Sequence, residues 1–352
     1  RDEEQIAEKF ADIAAQLSAS ADLDRASVSL RTLAAKAERE AALALMRAVL
    51  SAPSFPAAML EREKVRSIAA IKEAETRPDS IVAKRFAAAI YPHHPYGTFA
   101  TVDSVGRINR DDIVTFWRTH FSARRAVVSI IGDISRAEAE DIAAHLTDAL
   151  PDAADQASMQ LPAVTLPIRE TIRLPHPATQ SHILIGMPSL KRTDADYFPL
   201  LVGNYVLGGG GFVSRLMKEV REKRGYAYGV YSYFDPHKLE GPFEIGLQTK
   251  RAQADEALNV VEATLAGFLK DGPTAAELKA AQQNLIDGLA LKLDSNAKIL
   301  SHLSLIGFYE LPLTYLDDYP RRVAAVTAQQ VREAFARHVQ DEHMVTVIVA
   351  AD

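Results

Sequence analysis

"GGGGFVSRLMKEVREKRGYAYGVYSYF", residues 208–234, contains the pattern on which the interpretation of the fold rests. Four glycines precede a charged segment in which Leu216 and Val220 share one face of a helix. Gly225 then stands where a helix commonly ends, and residues 226–234 alternate as a β-strand does. The stretch therefore predicts a glycine-rich turn, a helix and a tyrosine-rich strand in direct succession.

The chain also contains an internal repeat. Seven positions recur in the same order, 218 residues later and without a gap: Val105, Ile108, Ile113, His120, Val127, Ile130 and Ile131 correspond to Val323, Val326, Val331, His338, Val345, Ile348 and Val349. Each copy predicts a helix followed by a strand, at 126–133 in the first and 344–351 in the second. Ordered matches across a helix and a strand are hard to obtain by chance, and they indicate two homologous domains.

The domain boundary is expected in residues 150–164, which are rich in Pro, Ala, Asp and Gln and have no periodicity. The predicted domains are residues 1–152 and residues 153–352. The second copy opens with strand-like segments at 170–176 and 181–189. The equivalent elements of the first copy would precede residue 1, so the first domain is expected to lack its N-terminal part in this sequence.

Both copies mix strands with long amphipathic helices and show no strict βαβ alternation. This pattern predicts an α+β fold of two tandem α/β rolls, each a mainly antiparallel sheet with helices on one face.

Composition excludes several classes of function. The 352 residues carry a net charge of −6 and no basic stripe, which argues against a nucleic-acid partner. No apolar run has the length that a bilayer requires. The absence of cysteine excludes disulfides, thiolate metal sites and cysteine nucleophiles.

The histidines do not form a recognisable zinc motif. His338 and His343 in "HVQDEH" are five residues apart, about 140° around a helix, so they cannot share one face. The adjacent histidines of "YPHHPYG", residues 91–97, lie between two prolines, and we expect them to pack within a turn.

The glycine run leaves two interpretations open. It follows a helix and lacks the pattern of a phosphate-binding loop. It is either a flexible turn or a backbone surface that lets an extended peptide approach closely, and in the second case the candidate substrate-binding residues are Gly208, Gly209, Gly210 and Gly211.

Arg221 and Tyr228 are the candidate catalytic pair. An arginine in the last turn of a helix and a tyrosine on the next strand can direct two donors at one point, which suits a developing oxyanion. Taken without further context, residues of these types in such positions are more often structural.

The repeat, the glycine turn, "SRL" and the R-x6-Y spacing together resemble the M16 (pitrilysin/insulinase-type) metallopeptidases, over essentially the whole chain. Among these, the chain looks most like M16B subunits related to mitochondrial processing peptidase. The resemblance implies two similar rolls of the LuxS/MPP-like metallohydrolase type. It implies a zinc motif, HxxEH, in the first roll, and in the second roll an arginine–tyrosine pair that holds the substrate carbonyl, here Arg221 and Tyr228.

Two departures from the family pattern concern zinc. No HxxEH occurs in these 352 residues. Zinc-binding relatives carry R-E-x6-E, whereas here Arg62 and Glu63 are followed, seven positions later, by Ala70. Alanine cannot bind zinc. The resemblance therefore implies no cofactor in this chain and a zinc ion in a partner subunit.

The expected function is that of the subunit without zinc in a heterodimeric M16B zinc peptidase, inactive alone, acting on peptides and located in the periplasm, with the cytoplasm as the other possibility. Two alternatives stay open. The chain could be a structural core-type subunit of a larger complex, or a self-sufficient peptidase whose HxxEH lies upstream of Arg1.

Overall fold

The computed structural model describes residues 3–151 and 160–350. These residues form two compact units, each assembled from separate parts of the chain. Unit 1 takes its residues from Arg1–Ile68, Thr101–Gln160 and Lys292–Leu311; unit 2 takes its residues from Ala69–Ala100, Leu161–Leu291 and Pro312–Asp352.

The α-helices of the described ranges are α1 (Glu3–Asp12), α2 (Lys36–Ser51), α3 (Ala57–Ala74), α4 (Pro78–Ile90), α5 (Val102–Arg107), α6 (Arg110–His120), α7 (Arg136–Thr147), α8 (Tyr197–Asn204), α9 (Ala254–Asp271), α10 (Ala275–Asp287), α11 (Leu289–Lys292), α12 (Asn296–Phe308), α13 (Tyr315–Ala324) and α14 (Ala328–His338). Side-chain caps begin several of them, as in the capping box of Thr327 and Gln330 at α14.

The strands are β1 (Gln16–Ala21), β2 (Ala26–Arg31), β3 (Glu170–Leu174), β4 (Gln180–Leu190), β5 (Ala227–Phe234), β6 (Gly241–Lys250) and β7 (Val345–Val349). In unit 1, β1 and β2 form an antiparallel hairpin. In unit 2, five strands form one sheet in the order β3-β7-β4-β6-β5, antiparallel except for the β3–β7 pair. The predicted α+β class with a mainly antiparallel sheet is therefore confirmed.

One face of the five-stranded sheet packs against α9 and α14 through aromatic side chains. Phe335 of α14 is fully buried, with its ring centroid 4.9 Å from that of Phe268 and 6.5 Å from that of Phe243 on β6. Along β6, Ile245 continues this face because alternate residues of a strand point to the same side. These rings form the core beneath the part of the sheet that carries β5.

The opposite face is covered by α4, which is an addition to the predicted arrangement with helices on one face. Val82, Phe86 and Ile90 recur every four residues, so they form one stripe of the helix, and they pack against Leu184 and Val347. Gly186 of β4 makes this close packing possible: a Cβ there would lie 2.0 Å from the Phe243 carbonyl oxygen and 2.9 Å from the Phe86 ring. The four-residue spacing is that of a helix face, but it does not say which sheet that face covers.

The predicted division into residues 1–152 and 153–352 stays a prediction, because its boundary lies in 152–159, outside the described residues. The compact units divide the chain differently. Two long-range associations determine which residues each unit contains. Helix α4 packs on the sheet of unit 2. Helix α12 belongs to unit 1, and the hydroxyl of Tyr309, the residue after α12, donates to Asp24 at 2.7 Å.

The two strands predicted from the repeat have different outcomes. The second forms as β7, fully buried between β3 and β4. The first, at 126–133, is irregular, and Val127 is 49% exposed. A strand forms only with a partner, and in unit 1 the described strands β1 and β2 pair only with each other.

Replacing Gly186 by alanine should destabilise the protein, because the new Cβ would collide with backbone. We expect a loss of about 1–3 kcal/mol in the free energy of unfolding. The matched control is Gly267→Ala within α9, where no atom lies within 4 Å of an added Cβ. That change should stabilise by about 0.5–1 kcal/mol. Urea unfolding measures both, and equal effects of the two substitutions would contradict the packing assigned to Gly186.

Candidate functional site

The glycine run forms a tight turn that packs directly on β5. Helix α8 continues into a π-helical turn, Tyr205–Gly209, in which the Gly210 N–H donates to the Tyr205 carbonyl at 2.9 Å. A Cβ on Gly208 would lie 2.4 Å from the Ser232 hydroxyl and 2.5 Å from its backbone nitrogen. Glycine is required there because β5 runs immediately against the turn.

The four glycines differ in their surroundings. Gly208 is buried and Gly210 is half-buried, with Tyr205 occupying the space of its Cβ. Gly209 and Gly211 are exposed, and Gly211 has a positive φ of 60° with open space around it. The role of Gly208, Gly209, Gly210 and Gly211 in peptide binding stays a prediction, and the exposed pair offers backbone to such a ligand.

A second π-helical turn, Met217–Glu222, carries Arg221. Its wider winding shows in the bond from the Lys223 N–H to the Lys218 carbonyl, five residues earlier, at 3.0 Å. Leu216 and Val220 are fully buried, as their spacing predicts, and they fix the inner face. The segment ends at Gly225 with a φ of 65°, which turns the chain into β5 and leaves Arg221 facing that strand.

An ion pair anchors the start of this segment to α10. Arg215 donates two hydrogen bonds to Glu277, at 2.7 and 2.8 Å, and one to the Gly272 carbonyl at 2.9 Å. Glu277 also accepts from Thr274 as part of the cap of α10. The hydrogen bonds from Arg215 are the main cause that lowers the pKa of Glu277 to about 2.

Arg221 lies between two exposed aromatic rings. Its guanidinium carbon is 4.7 Å from the ring centroid of Phe212 and 4.8 Å from that of Tyr228. Phe212 is 62% exposed and Tyr228 is 86% exposed. Within the described ranges, neither the Arg221 guanidinium nor the Tyr228 hydroxyl has a hydrogen-bond or ion-pair partner. The predicted pair is therefore brought together with its donors unoccupied.

An irregularity in β5 determines where Tyr228 points. The pairing with β6 shifts between Ala227 and Val230. The alternation predicted over residues 226–234 would place Tyr226, Tyr228 and Val230 on one face. This part of the prediction is wrong, because the bulge breaks the alternation: Val230 is 3% exposed and Tyr228 is 86% exposed. The bulge turns the Tyr228 side chain out of the sheet, next to Arg221.

Chemically, this arrangement offers a fixed positive charge and a phenolic O–H at one exposed point. A guanidinium and a phenol both donate hydrogen bonds, and here the rings of Phe212 and Tyr228 hold the guanidinium plane while leaving its N–H groups free. The site is suited to bind a carbonyl oxygen or an anionic oxygen.

Sequence reasoning missed one cluster of potential metal ligands. Asp194, Asp196 and His338 place ligand atoms within 4.8 Å of one another, although His338 is 142 residues beyond Asp196 in the chain. Arg337, however, already forms two hydrogen bonds to Asp196, at 2.8 and 2.9 Å, and these bonds are the main cause that lowers the pKa of that carboxyl. The cluster joins the start of α8 to the end of α14 through paired charges.

Ala70, which stands where zinc-binding relatives are expected to have glutamate, lies on the exposed face of α3. It offers no ligand atom. Over the two described ranges, no helix is both long enough and apolar enough to span a membrane.

Comparison with known proteins identifies a consistent set of relatives. Residues 107–285 match the family described as the peptidase M16 inactive domain. The crystal structure of a peptidase M16 inactive domain from Pseudomonas fluorescens is similar with a TM-score of 0.95 at 35% sequence identity, over 100% of this chain and 84% of that chain.

Two curated relatives have names of different kinds. An uncharacterized zinc protease of Streptomyces coelicolor is 31% identical over 280 residues, 75% of this chain and 59% of the relative. A Helicobacter pylori protein called a non-peptidase homolog is 23% identical over 347 residues, 97% of this chain and 79% of the relative. The chain thus spans less than two thirds of the Streptomyces protein.

Replacing Arg215 by methionine should lower the free energy of unfolding by about 1.5–3 kcal/mol at pH 7, because a partly buried, charge-assisted pair is lost. The pKa of Glu277 is depressed in the folded state, so the stability it contributes is present above its usual value of 4.5 and lost as pH falls towards 2. The difference between wild type and variant should therefore shrink over that interval.

Urea unfolding at pH 7 and pH 3 measures this. Arg136→Met is the control, since Arg136 pairs with Glu140 on the surface and its side chain is 92% exposed. A wild-type advantage that is the same at pH 7 and at pH 3 would show that the ion pair is not its source.

Proposed function

The chain belongs to the peptidase M16 family, and we propose that it acts as the subunit without zinc in a two-subunit zinc peptidase. In this role Arg221 and Tyr228 bind the scissile carbonyl of a peptide beside a metal held by the partner. The observation that carries the proposal is the guanidinium of Arg221, held between two exposed rings with its donors unoccupied.

Folding stability does not account for this arrangement. An arginine kept for stability is usually paired with a carboxylate, as Arg215 is with Glu277. Tyr228 is 86% exposed and so contributes little buried apolar area. An exposed aromatic–cation–aromatic stack with free donors is better explained by a ligand that uses those donors.

The contribution of this chain to the reaction follows from the two donors. Zinc bound by the partner would polarise the attacking water. Arg221 and Tyr228 would donate to the carbonyl oxygen, and their hydrogen bonds would strengthen as that oxygen gains negative charge in the tetrahedral intermediate. Because the rings already hold the guanidinium, little reorganisation is needed when the charge develops. No step is assigned to a metal in this chain, where Ala70 offers no ligand.

The description of the matching family as an inactive domain supports a noncatalytic member of a peptidase family. One relative is called a non-peptidase homolog, whereas several others are called uncharacterized zinc proteases. Within the family we place the chain in the M16B group, as one half of a heterodimer, and in the periplasm; these three parts of the proposal rest on the resemblance of its motifs.

Tyr228→Phe and Arg221→Ala should each lower kcat/KM for peptide cleavage by the reconstituted complex about 100-fold or more, since each removes an oxyanion donor. Activity on a fluorogenic peptide and complex size by light scattering are measured together. Tyr226→Phe and Arg224→Ala are the controls, and Arg224 already pairs with Glu219. An intact complex with full activity in the double variant Arg221→Ala/Tyr228→Phe would refute the proposal.

Phe212→Ala should lower kcat/KM more modestly, about two- to fivefold, because an exposed cation–π contact contributes roughly 0.5–1 kcal/mol. Phe212→Tyr should keep most of the activity, since a ring remains over the guanidinium. The neighbouring Val213 is 59% exposed and makes no such contact, so Val213→Ala serves as the control. Equal losses for Phe212→Ala and Val213→Ala would show that the loop matters and the stacking does not.

A further inference from the structure

A buried carboxyl without a positive partner lies on the same pair of strands. Glu244 of β6 is 8% exposed, and no lysine, arginine or histidine of the described ranges forms an ion pair with it. Burial raises the pKa of Glu244, and the nearby charge of Asp235 raises it further. Buried carboxylates in proteins are usually paired, so this one requires an explanation.

Two tyrosines of β5 cover Glu244. Tyr233 lies directly opposite Glu244 in the strand register, and its hydroxyl hydrogen-bonds to the carboxyl. Tyr231 lies opposite Gly246, whose missing side chain leaves room for the ring: a Cβ there would be 2.3 Å from the Tyr231 hydroxyl. The two rings stack with centroids 5.9 Å apart and planes inclined by 17°.

This group has the chemistry of a cation site. Tyr231 is 46% exposed and Tyr233 is 38% exposed, so a ligand can reach the ring edges and faces above the carboxyl. Aromatic faces and a desolvated carboxylate both attract an ammonium or a guanidinium. The missing positive partner of Glu244 could thus be supplied by a ligand.

The position along β5 relates this group to Arg221 and Tyr228. Tyr231 is three residues and Tyr233 five residues beyond Tyr228. At up to about 3.3 Å per residue, these separations are at most roughly 10 and 17 Å, because the bulge between Ala227 and Val230 bends the first part of the strand. If the scissile carbonyl of an extended peptide lies at Tyr228, the side chain that reaches the stacked tyrosines belongs to a peptide residue three to five positions from the scissile bond.

We propose that Glu244, Tyr231 and Tyr233 form a subsite for a lysine or arginine side chain of the substrate peptide, three to five residues from the bond that is cleaved. The distance between the subsite and the cleaved bond rests on the proposed function. The inference adds a class of substrate to that function: peptides with a basic residue at this distance. Glu244 neutralises the cation, and the two tyrosines stack against its aliphatic stem and charged end.

The raised pKa of Glu244 also gives an expectation for the stability of the protein without a ligand. The ionised form of the carboxyl is then a cost, because its pKa is raised in the folded state. The stability associated with Glu244 is then fully present below its usual pKa of 4.5 and is lost as pH rises through the folded value. Glutamine accepts the same hydrogen bond without a charge, so Glu244→Gln should keep or raise the melting temperature at pH 7.

Matched peptides test the subsite directly. Binding to the full chain is measured by fluorescence anisotropy for a peptide with one arginine and for the same peptide with citrulline, which has the shape of arginine but no charge. Wild type should prefer the arginine peptide about tenfold or more, and Glu244→Gln should abolish the preference. The control is Glu240→Gln, because Glu240 is already paired with Lys191 at 2.9 Å; this variant should keep the preference.

Moving the arginine along the peptide locates the subsite. In the reconstituted complex, the ratio of kcat/KM for arginine over citrulline should be largest three to five residues from the cleaved bond. A wild-type chain with no preference at any position, or a Glu244→Gln variant with an unchanged preference, would overturn the inference.

The two proposals can fail separately. If Arg221→Ala/Tyr228→Phe leaves cleavage intact while Glu244→Gln still abolishes the arginine preference, the oxyanion role is wrong and the cation subsite stands. If cleavage depends on Arg221 and Tyr228 but the preference is the same with Glu244→Gln, the subsite is wrong and the proposed function stands.

Discussion

The close contact between Gly208 and the backbone of Ser232 is the constraint on which the geometry of the site depends. It brings the end of α8 against β5, where Asn204 bonds both the carbonyl and the hydroxyl of Ser232, at 2.9 and 2.7 Å. The chain must then turn, form the π-helical segment that carries Arg221 and return along the same strand. Two wide helical turns and a bulge, all departures from regular geometry, are concentrated at this corner, as is common at functional sites.

Two charges near this corner lack the partners that charges in a folded protein normally have. Among the residues that the structure describes, Arg221 is held by two rings and has no carboxylate partner, and Glu244 is buried beneath Tyr231 and Tyr233 without a cation. Elsewhere in unit 2, Arg215 is paired with Glu277 and Arg337 with Asp196. Local exceptions of this kind are expected where a protein accepts a loss of stability in order to bind a ligand. Arg221 is positive and the carboxylate of Glu244 is negative. The two charges therefore suit a peptide that presents a carbonyl oxygen to Arg221 and a basic side chain to Glu244.

Particular residues show where sequence reasoning succeeded and where it could not. Strands β3, β4, β5 and β7 and the helix-to-strand corner at Gly225 were predicted, and they form where expected, because their signals are local in the chain. Strand β6 was not predicted. The strand predicted at 126–133 does not form, since its apolar residues indicate a strand but do not supply a partner. The stripe of Val82, Phe86 and Ile90 was not predicted; its spacing is that of a helix face, whereas its packing on the sheet depends on Gly186, about one hundred residues away.

The sequence by itself determined the α+β class, the proximity of Arg221 to Tyr228 and the lack of a ligand at Ala70, because each depends on residue type and short spacing. Only the tertiary structure decided that Phe212 completes the stack on Arg221, that Tyr228 leaves the sheet at a bulge and that Glu244 is buried under two tyrosines. These features depend on the register between β5 and β6 and on packing between distant segments. Pairing of this kind is set by the whole sheet, and no short stretch of sequence contains it.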